Sequence, residues 1–222
     1  MIKNKYKFIV VEGPIGVGKT TLATKLANTF NSKLMLESYS NNPFLKKFYK
    51  DMSKYAFTTQ LYFLLQRASE FQSKANKDIE SNNIISDYFF NKDNLFAETI
   101  LNIDEYSLYN KIFKHLNISM SKPDLVIYLQ ADASALLKRI TARGIDFEQY
   151  ITEDYLKKII DSYTKYFYSY NDSPILIINT SSVDVNNVHD YNMLVGEINK
   201  DIKGKKYFNP SSLRKDWWQK RL

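Results

Sequence analysis

Residues 8–30 read FIVVEGPIGVGKTTLATKLANTF, and this stretch decides the fold. It opens with an apolar run, Phe8 to Val11, and closes with a helix-forming run, Thr21 to Phe30. Between them, Gly13 to Thr20 matches G-x-x-x-x-G-K-[ST], the pattern of a loop that binds phosphate between a strand and a helix. The stretch therefore predicts a P-loop fold.

The chemistry of such a loop explains its residue types. Glycine lets backbone N–H groups close round phosphate oxygens, and the helix that follows adds partial positive charge. We expect the loop to bind ATP, with Lys19 reaching the outer phosphates and the Thr20 hydroxyl ligating Mg²⁺. The predicted nucleotide-binding residues are Gly13, Gly16, Val17, Gly18, Lys19, Thr20 and Thr21.

Apolar runs alternate with helical stretches along the chain, which predicts an α/β fold with a five-stranded parallel sheet flanked by helices. The predicted strands are Lys7 to Val11, Lys33 to Glu37, Asn83 to Asp87, Asp124 to Leu129 and Ile175 to Ile178. The predicted helices are Lys19 to Phe30, Pro43 to Lys50, Lys54 to Asp78, Asn94 to Leu116, Ala133 to Arg143, Glu153 to Tyr170 and Asn186 to Ile202. We expect one domain over residues 1–203, with a short lid at about 139–152, and a tail over residues 204–222.

Composition excludes several classes of protein. No stretch approaches eighteen apolar residues, so no membrane span is expected. The polar start of the chain indicates no signal peptide, and the lack of cysteine excludes disulfides, so the cytoplasm is the expected location. Residues 200–222 carry +6 of the net charge of +7, which leaves +1 on the main body and argues against nucleic-acid binding there.

The basic tail contains Trp217 and Trp218, and we expect it to dock on the body of the protein or on a partner. Within the tail, residues 204–212 are predicted to form a flexible connection. We expect deletion of residues 205–222 to leave the reaction intact.

Five linked segments resemble the deoxynucleoside kinases, in particular the bacterial deoxyguanosine and deoxyadenosine kinases. The segments are GPIGVGKTTLATKLA, LMLESYSNNPFLKKFYKD, YAFTTQLYFLLQRASEFQ, IISDYFFNKDNLFAE and KPDLVIYLQADASALLKRITARGIDFEQYITEDYL. The resemblance runs from about Phe8 to Ile178. It implies transfer of the γ-phosphate of ATP, with Mg²⁺, to the 5'-hydroxyl of a deoxynucleoside in nucleotide salvage, by a homodimer.

The resemblance also assigns catalytic roles. Glu37 matches the general base that takes the proton of the sugar hydroxyl, and Asp87 matches an acidic residue that helps to hold Mg²⁺. Arg139 and Arg143 match arginines of the lid that close over ATP. Their i, i+4 spacing places both on one helix face, where they would stabilise the charge of the moving phosphoryl group together with Lys19.

Further matches concern the deoxynucleoside. Gln60, Arg67 and Asp93 match residues that read the base, and retention of the Arg–Asp pair favours purine deoxynucleosides or deoxycytidine over thymidine. Phe96 either stacks on the base or packs in the core. Tyr49 and Glu148 match residues that hold the 3'-hydroxyl, although Tyr49 also suits core packing.

Two positions depart from the family pattern. Tyr88 stands where most relatives place an Arg, and Ile145 stands where they place a third lid Arg, which leaves a lid with less charge. Our hypothesis is that Lys92, one helical turn beyond Tyr88, supplies the missing catalytic charge. Replacing Lys92 with Ala is then expected to cut turnover by orders of magnitude with little loss of folding.

Two other functions are considered. A nucleoside monophosphate kinase of the thymidylate kinase type shares the loop, sheet and lid, but it needs a cation for the acceptor's phosphate, and this chain has no Arg before Arg67. Lys46 or Lys47 could take that part. A weakly active nucleotide-binding regulatory subunit would explain Tyr88 and Ile145, but not the retained catalytic set.

Overall fold

The computed structural model describes residues 5–70, 82–90, 92–116 and 121–210. Its strands are β1 Phe8–Glu12, β2 Lys33–Met35, β3 Ile84–Ser86, β4 Leu125–Gln130, β5 Ile175–Asn179 and β6 Lys205–Phe208. They form one sheet in the order β2-β3-β1-β4-β5-β6, and every neighbouring pair is parallel. The predicted α/β class with a parallel sheet is confirmed.

Helices connect the strands. They are α1 Lys19–Phe30, α2 Leu45–Lys50, α3 Met52–Glu70, α4 Lys92–Ile100, α5 Ile103–His115, α6 Ala133–Arg143, α7 Glu153–Ser169 and α8 Val188–Ile198, with short 3-10 helices at Tyr39–Asn41 and Asp146–Tyr150. Over the described ranges, no helix is both long and apolar enough to cross a membrane.

The centre of the sheet is apolar throughout. All five residues of β1 are buried, as are five of the six in β4 and four of the five in β5. Both faces of a parallel sheet are covered by helices, so its strands read as continuous apolar runs. The apolar faces of α1 and α7 supply part of that cover, with Leu22 and Leu156 each fully buried. Because β1, β2 and β3 are parallel, their carboxyl ends lie at the same edge of the sheet.

The sheet has six strands rather than the predicted five, because β6 lies in the segment predicted to be flexible. It pairs with β5 from Lys205 to Phe208, and the Phe208 side chain is buried. This edge strand contains two lysines and an exposed Tyr207, so it does not form an apolar run in the sequence. The division of the chain after residue 203 stays a prediction, and Trp217 and Trp218 lie outside the described residues.

The predicted helix from Asn94 to Leu116 is two helices. Asn102 separates the two helices, because its side chain caps the second one by accepting hydrogen bonds from the backbone N–H groups of Asp104 (3.1 Å) and Glu105 (3.0 Å). The Glu105 carboxylate accepts in turn from the N–H of Asn102, which completes a capping box that starts α5. The predicted helix from Lys54 to Asp78 is described as far as Glu70.

Because β6 belongs to the sheet, deleting residues 205–222 is expected to destabilise the protein. The deletion removes the buried Phe208 side chain and uncovers the edge of β5. Burial of one such side chain contributes about 1.5–3 kcal/mol, so we expect a melting temperature about 5 to 10 °C lower. The matched comparison is deletion of residues 211–222, which keeps β6. Equal melting temperatures for the two truncations, measured by circular dichroism, would contradict a structural role for β6.

Candidate active site

The phosphate-binding loop joins β1 to α1, as predicted. Gly13 has φ +149°, and a Cβ there would lie 2.4 Å from the carbonyl oxygen of Leu129, so the position requires glycine. The Lys19 ammonium donates to the carbonyl oxygens of Gly13 (2.8 Å) and Pro14 (3.2 Å). Burial, followed by the charge of Lys92, lowers the pKa of Lys19. The lysine thus lies folded over the loop, where anionic phosphates would provide it with a stronger partner.

A pocket of about 540 Å³ opens beside this loop. The predicted site residues that line it are Gly16, Val17, Gly18, Lys19, Thr20, Thr21, Glu37, Tyr49, Gln60, Arg67, Asp87, Lys92, Phe96, Arg139, Arg143 and Glu148. Gly13 and Asp93 are not among its lining residues: Gly13 packs against the backbone of β4, and Asp93 is fully buried in contact with Arg67. The fold therefore gathers segments more than a hundred residues apart into one site.

Glu37 lies just beyond β2, with a cation at each carboxylate oxygen. Its Oε2 accepts from the Lys92 ammonium (2.8 Å), and its Oε1 accepts from Arg67 Nε (3.1 Å) and forms an ion pair with Arg67 Nη2. Burial alone would raise the pKa of Glu37, but Arg67 and Lys92 outweigh it and hold the pKa well below its usual range. Glu37 is consequently a carboxylate at neutral pH, able to accept a proton.

Asp87 ties the phosphate loop to the ends of two strands. One carboxylate oxygen, Oδ2, accepts from the Thr20 hydroxyl, and Oδ1 accepts from the backbone N–H of Glu37 (2.8 Å). A hydroxyl oxygen beside a carboxylate suits Mg²⁺, which commonly binds one or two protein side chains together with substrate phosphates. No cluster of three or more metal-binding side chains occurs in the part of the chain that the structure describes.

The predicted base-reading residues form a buried polar group. Arg67 Nη1 forms an ion pair with Asp93, whose burial raises the pKa of its carboxyl to about 6 despite the opposing charge of Arg67. Gln60 Oε1 and Asp93 Oδ2 are buried and have no hydrogen-bond partner among the described residues. Unsatisfied buried polar atoms are costly, so an atom such as Gln60 Oε1, in a residue that lines the pocket, points to a polar ligand.

Aromatic rings line two parts of the pocket. Phe96 is half-buried and meets Tyr163 edge to face, with ring centroids 6.0 Å apart. Tyr49 stacks on Phe147 with centroids 6.1 Å apart. Burial, followed by Tyr155 and Glu148, raises the pKa of Tyr49. The Tyr49 hydroxyl therefore keeps its proton and can donate a hydrogen bond, even though the ring also packs in the core.

Arg139 and Arg143 both line the pocket, as their spacing on α6 predicts. Arg139 donates to the side-chain hydroxyl (2.8 Å) and backbone carbonyl (2.9 Å) of Thr180, just after β5. Arg143 Nε donates to Glu148 Oε2 (3.1 Å), and its side chain is partly exposed. Both guanidiniums are held by neutral or anionic protein groups near the loop, and the movement of residues 139–152 as a lid stays a prediction.

Tyr88, one of the two positions that depart from the family pattern, does not line the pocket. Its ring is buried outside the pocket lining, and its hydroxyl donates to Glu70 Oε2 (3.3 Å). Lys92 lies in the pocket instead, beside Glu37. Sequence reasoning missed Glu12, which stands between the apolar run and the first glycine of the motif, and Thr180, which is distant in sequence from α6.

A P-loop, a carboxylate beyond the second strand and two arginines on a helix above the loop define a nucleotide-dependent phosphotransferase. The chain also matches the model of the family "Deoxynucleoside kinase" over residues 9–203, and it belongs to that family. It is accordingly an ATP-dependent kinase that phosphorylates deoxynucleosides. This membership supports a nucleoside acceptor over the monophosphate acceptor of the thymidylate kinase type, and an enzyme over a regulatory subunit.

Individual relatives of the chain support its assignment to this family. The chain is 36% identical to a deoxyguanosine kinase of Bacillus subtilis over 161 residues, 72% of this chain and 78% of the relative. It is 31% identical to a deoxyadenosine kinase of Lactobacillus acidophilus over 210 residues, 88% of this chain and 96% of the relative. A solved deoxyadenosine kinase from M. mycoides with bound dATP has the same fold, with a TM-score of 0.75, 23% identity and coverage of 86% of this chain and 99% of that one.

Proposed function

We propose that the enzyme transfers the γ-phosphate of ATP to the 5'-hydroxyl of a purine deoxynucleoside, with deoxycytidine as the next candidate, in nucleotide salvage. The observation that carries the proposal is that Glu37 shares one pocket with the phosphate loop and with Arg67, which is paired with Asp93 outside the pocket lining. Relatives named deoxyguanosine and deoxyadenosine kinase support the purine preference.

In this proposal Glu37 accepts the proton of the 5'-hydroxyl as the oxygen attacks the γ-phosphorus. A carboxylate held by two cations is a weak base, so the proton passes late, once attack has made the alcohol more acidic. Lys19, Arg139, Arg143 and Lys92 stabilise the charge of the moving phosphoryl group. Thr20 and Asp87 hold Mg²⁺, which, when bound, neutralises charge on the phosphates.

The base and sugar are bound on the α3 side of Glu37. Gln60 and Arg67 face the pocket, Asp93 fixes Arg67 from behind, and Phe96 stacks on the base. Tyr49 donates to the 3'-hydroxyl and Glu148 accepts from it. The homodimer, the cytoplasmic location and the docking of the tail are retained as expectations from the sequence.

The experiment that tests the proposal supplies Mg²⁺-ATP with each of the four deoxynucleosides and their 5'-monophosphates, and follows ADP release. We expect turnover on deoxynucleosides, fastest with a purine. Turnover on a monophosphate alone would overturn the proposal in favour of the thymidylate kinase type. Repeating the assay with EDTA tests the metal, and activity that survives chelation would refute the role of Thr20 and Asp87.

Replacing Asp93 with Asn is expected to weaken binding of the purine deoxynucleoside. Arg67 keeps a neutral amide oxygen as acceptor but loses its buried anionic partner, and the weaker hydrogen bond costs about 1 kcal/mol or more, which corresponds to a KM at least about fivefold higher. The KM for ATP is expected to stay unchanged and serves as the internal reference. Asp132→Asn, at the exposed position just before α6, is the matched control. An unchanged KM for every deoxynucleoside would contradict base reading by this pair.

A further inference from the structure

A second carboxylate, Glu12, lies fully buried at the carboxyl end of β1, outside the pocket lining. Its Oε1 accepts from the backbone N–H of Gly13 (2.9 Å) and from the hydroxyl of Tyr163 (2.9 Å). Its Oε2 accepts from the backbone N–H of Phe89 (2.9 Å) and lies 3.9 Å from the Lys92 ammonium. One side chain thus connects the phosphate loop, the segment between β3 and α4, the start of α4 and helix α7.

The negative charge of Glu12 requires an explanation beyond these hydrogen bonds. A buried carboxylate is costly unless it is paired, whereas the single oxygen of a neutral Gln amide could still accept from the Gly13 N–H and the Tyr163 hydroxyl, so that only the Phe89 N–H would lose its acceptor. What the charge adds is an ion pair with Lys92, itself only 4% exposed. Lys92 therefore lies between two carboxylates, with Glu37 at 2.8 Å and Glu12 at 3.9 Å.

The position of Glu12 also links the two lysines of the site. Gly13 donates its N–H to Glu12 and accepts a hydrogen bond from Lys19 through its carbonyl oxygen. Burial and the charge of Lys92 disfavour the charged form of Lys19 and lower its pKa, and the charge of Glu12 opposes that shift. A rigid anion behind the loop thus offsets the repulsion between two ammonium groups that face the same phosphates.

Building on the proposed function, we propose that Glu12 is a positioning residue for phosphoryl transfer: it holds Lys92 against Glu37 and fixes that ammonium relative to the first N–H of the phosphate loop. Glu12 lies outside the pocket lining, so it would contact neither substrate. It acts through Lys92, whose ammonium then stands beside the carboxylate that receives the proton. This arrangement provides the cation that Tyr88 cannot provide, because a phenol carries no positive charge and its hydroxyl donates to Glu70.

The test is a double-mutant cycle with Glu12→Gln, Lys92→Met and the double variant, measured as kcat, KM for both substrates and melting temperature. Because Glu12 acts through Lys92, we expect Glu12→Gln alone to lower kcat by about tenfold or more, and by less than about twofold when Lys92 is already Met. Each KM should stay within about threefold of the wild-type value. Losses in kcat that simply multiply would overturn the proposal, since a purely structural Glu12 would act independently of Lys92.

Controls separate this outcome from other failures. Asp124→Asn neutralises a carboxylate that accepts two backbone N–H groups at the opposite end of β1, and it should leave kcat unchanged. If Glu12→Gln does not fold, Glu12→Asp keeps the charge but shortens its reach, and its loss of kcat must likewise vanish in the Lys92→Met background. A wild-type enzyme silent on every deoxynucleoside would refute the proposed function, whereas an active wild type with an additive cycle refutes this inference alone.

Discussion

Replacing Glu37 with Gln is expected to lower kcat by about 10²–10⁴-fold, the usual contribution of a general base. Gln has nearly the same shape, and its single amide oxygen can still accept from one of the two cations, Arg67 or Lys92, but it cannot take the proton of the 5'-hydroxyl. Binding of ATP, measured by titration calorimetry, should change little because the phosphates contact the loop. Glu98→Gln, at an exposed position on α4, is the control and should keep full activity.

The same substitution has a pH signature in stability. The pKa of Glu37 is lower in the folded protein than in the unfolded chain, so its ionised form stabilises the fold at pH values above the ordinary Glu pKa of about 4.3. That contribution is lost as the pH falls towards the folded pKa. The wild type should therefore melt at a higher temperature than Glu37→Gln at pH 7, and the difference should shrink at pH 4. A difference independent of pH would contradict the ion pairs with Arg67 and Lys92.

Replacing Lys19 with Met is expected to lower kcat by about 10²–10³-fold, the cost of removing one preorganised donor from the charge that develops in transfer. Met preserves the unbranched length of Lys, so packing of the loop should survive. The Lys19 ammonium donates hydrogen bonds to the carbonyl oxygens of Gly13 and Pro14, so in the variant these two oxygens lose that donor. Affinity for ATP should fall as well, since those oxygens then face the phosphates without a cation.

The control for this variant is Lys138→Met, which removes an exposed lysine on α6 outside the pocket lining. It should retain wild-type kcat and affinity for ATP. A loss of kcat below about tenfold in Lys19→Met would show that other cations carry the phosphoryl charge, because one preorganised donor normally contributes more. Lys92, Arg139 and Arg143 are the groups that would then be responsible.

Local patterns predicted the loop, the parallel sheet and the strand-end carboxylates because each depends on a few neighbouring residues. The loop needs its glycines and Lys19 within one short motif, and Glu37 and Asp87 follow apolar runs at strand ends. By contrast, β6 was missed because an edge strand is specified by pairing with β5 rather than by its own apolar run. The break between α4 and α5 was missed because a helical pattern continues across Asn102. The capping hydrogen bonds of Asn102, which start α5 there, do not show in that pattern.

The sequence by itself determined the class of fold, the position of the phosphate loop and the residue types that surround it. Only the tertiary structure decided which of those charges meet. It places Lys92 between Glu12 and Glu37, sets Arg67 between Glu37 and Asp93, and turns Tyr88 out of the pocket. The physical reason is that ion pairs between distant segments depend on where the ends of the strands and helices converge, which no local pattern of residues encodes.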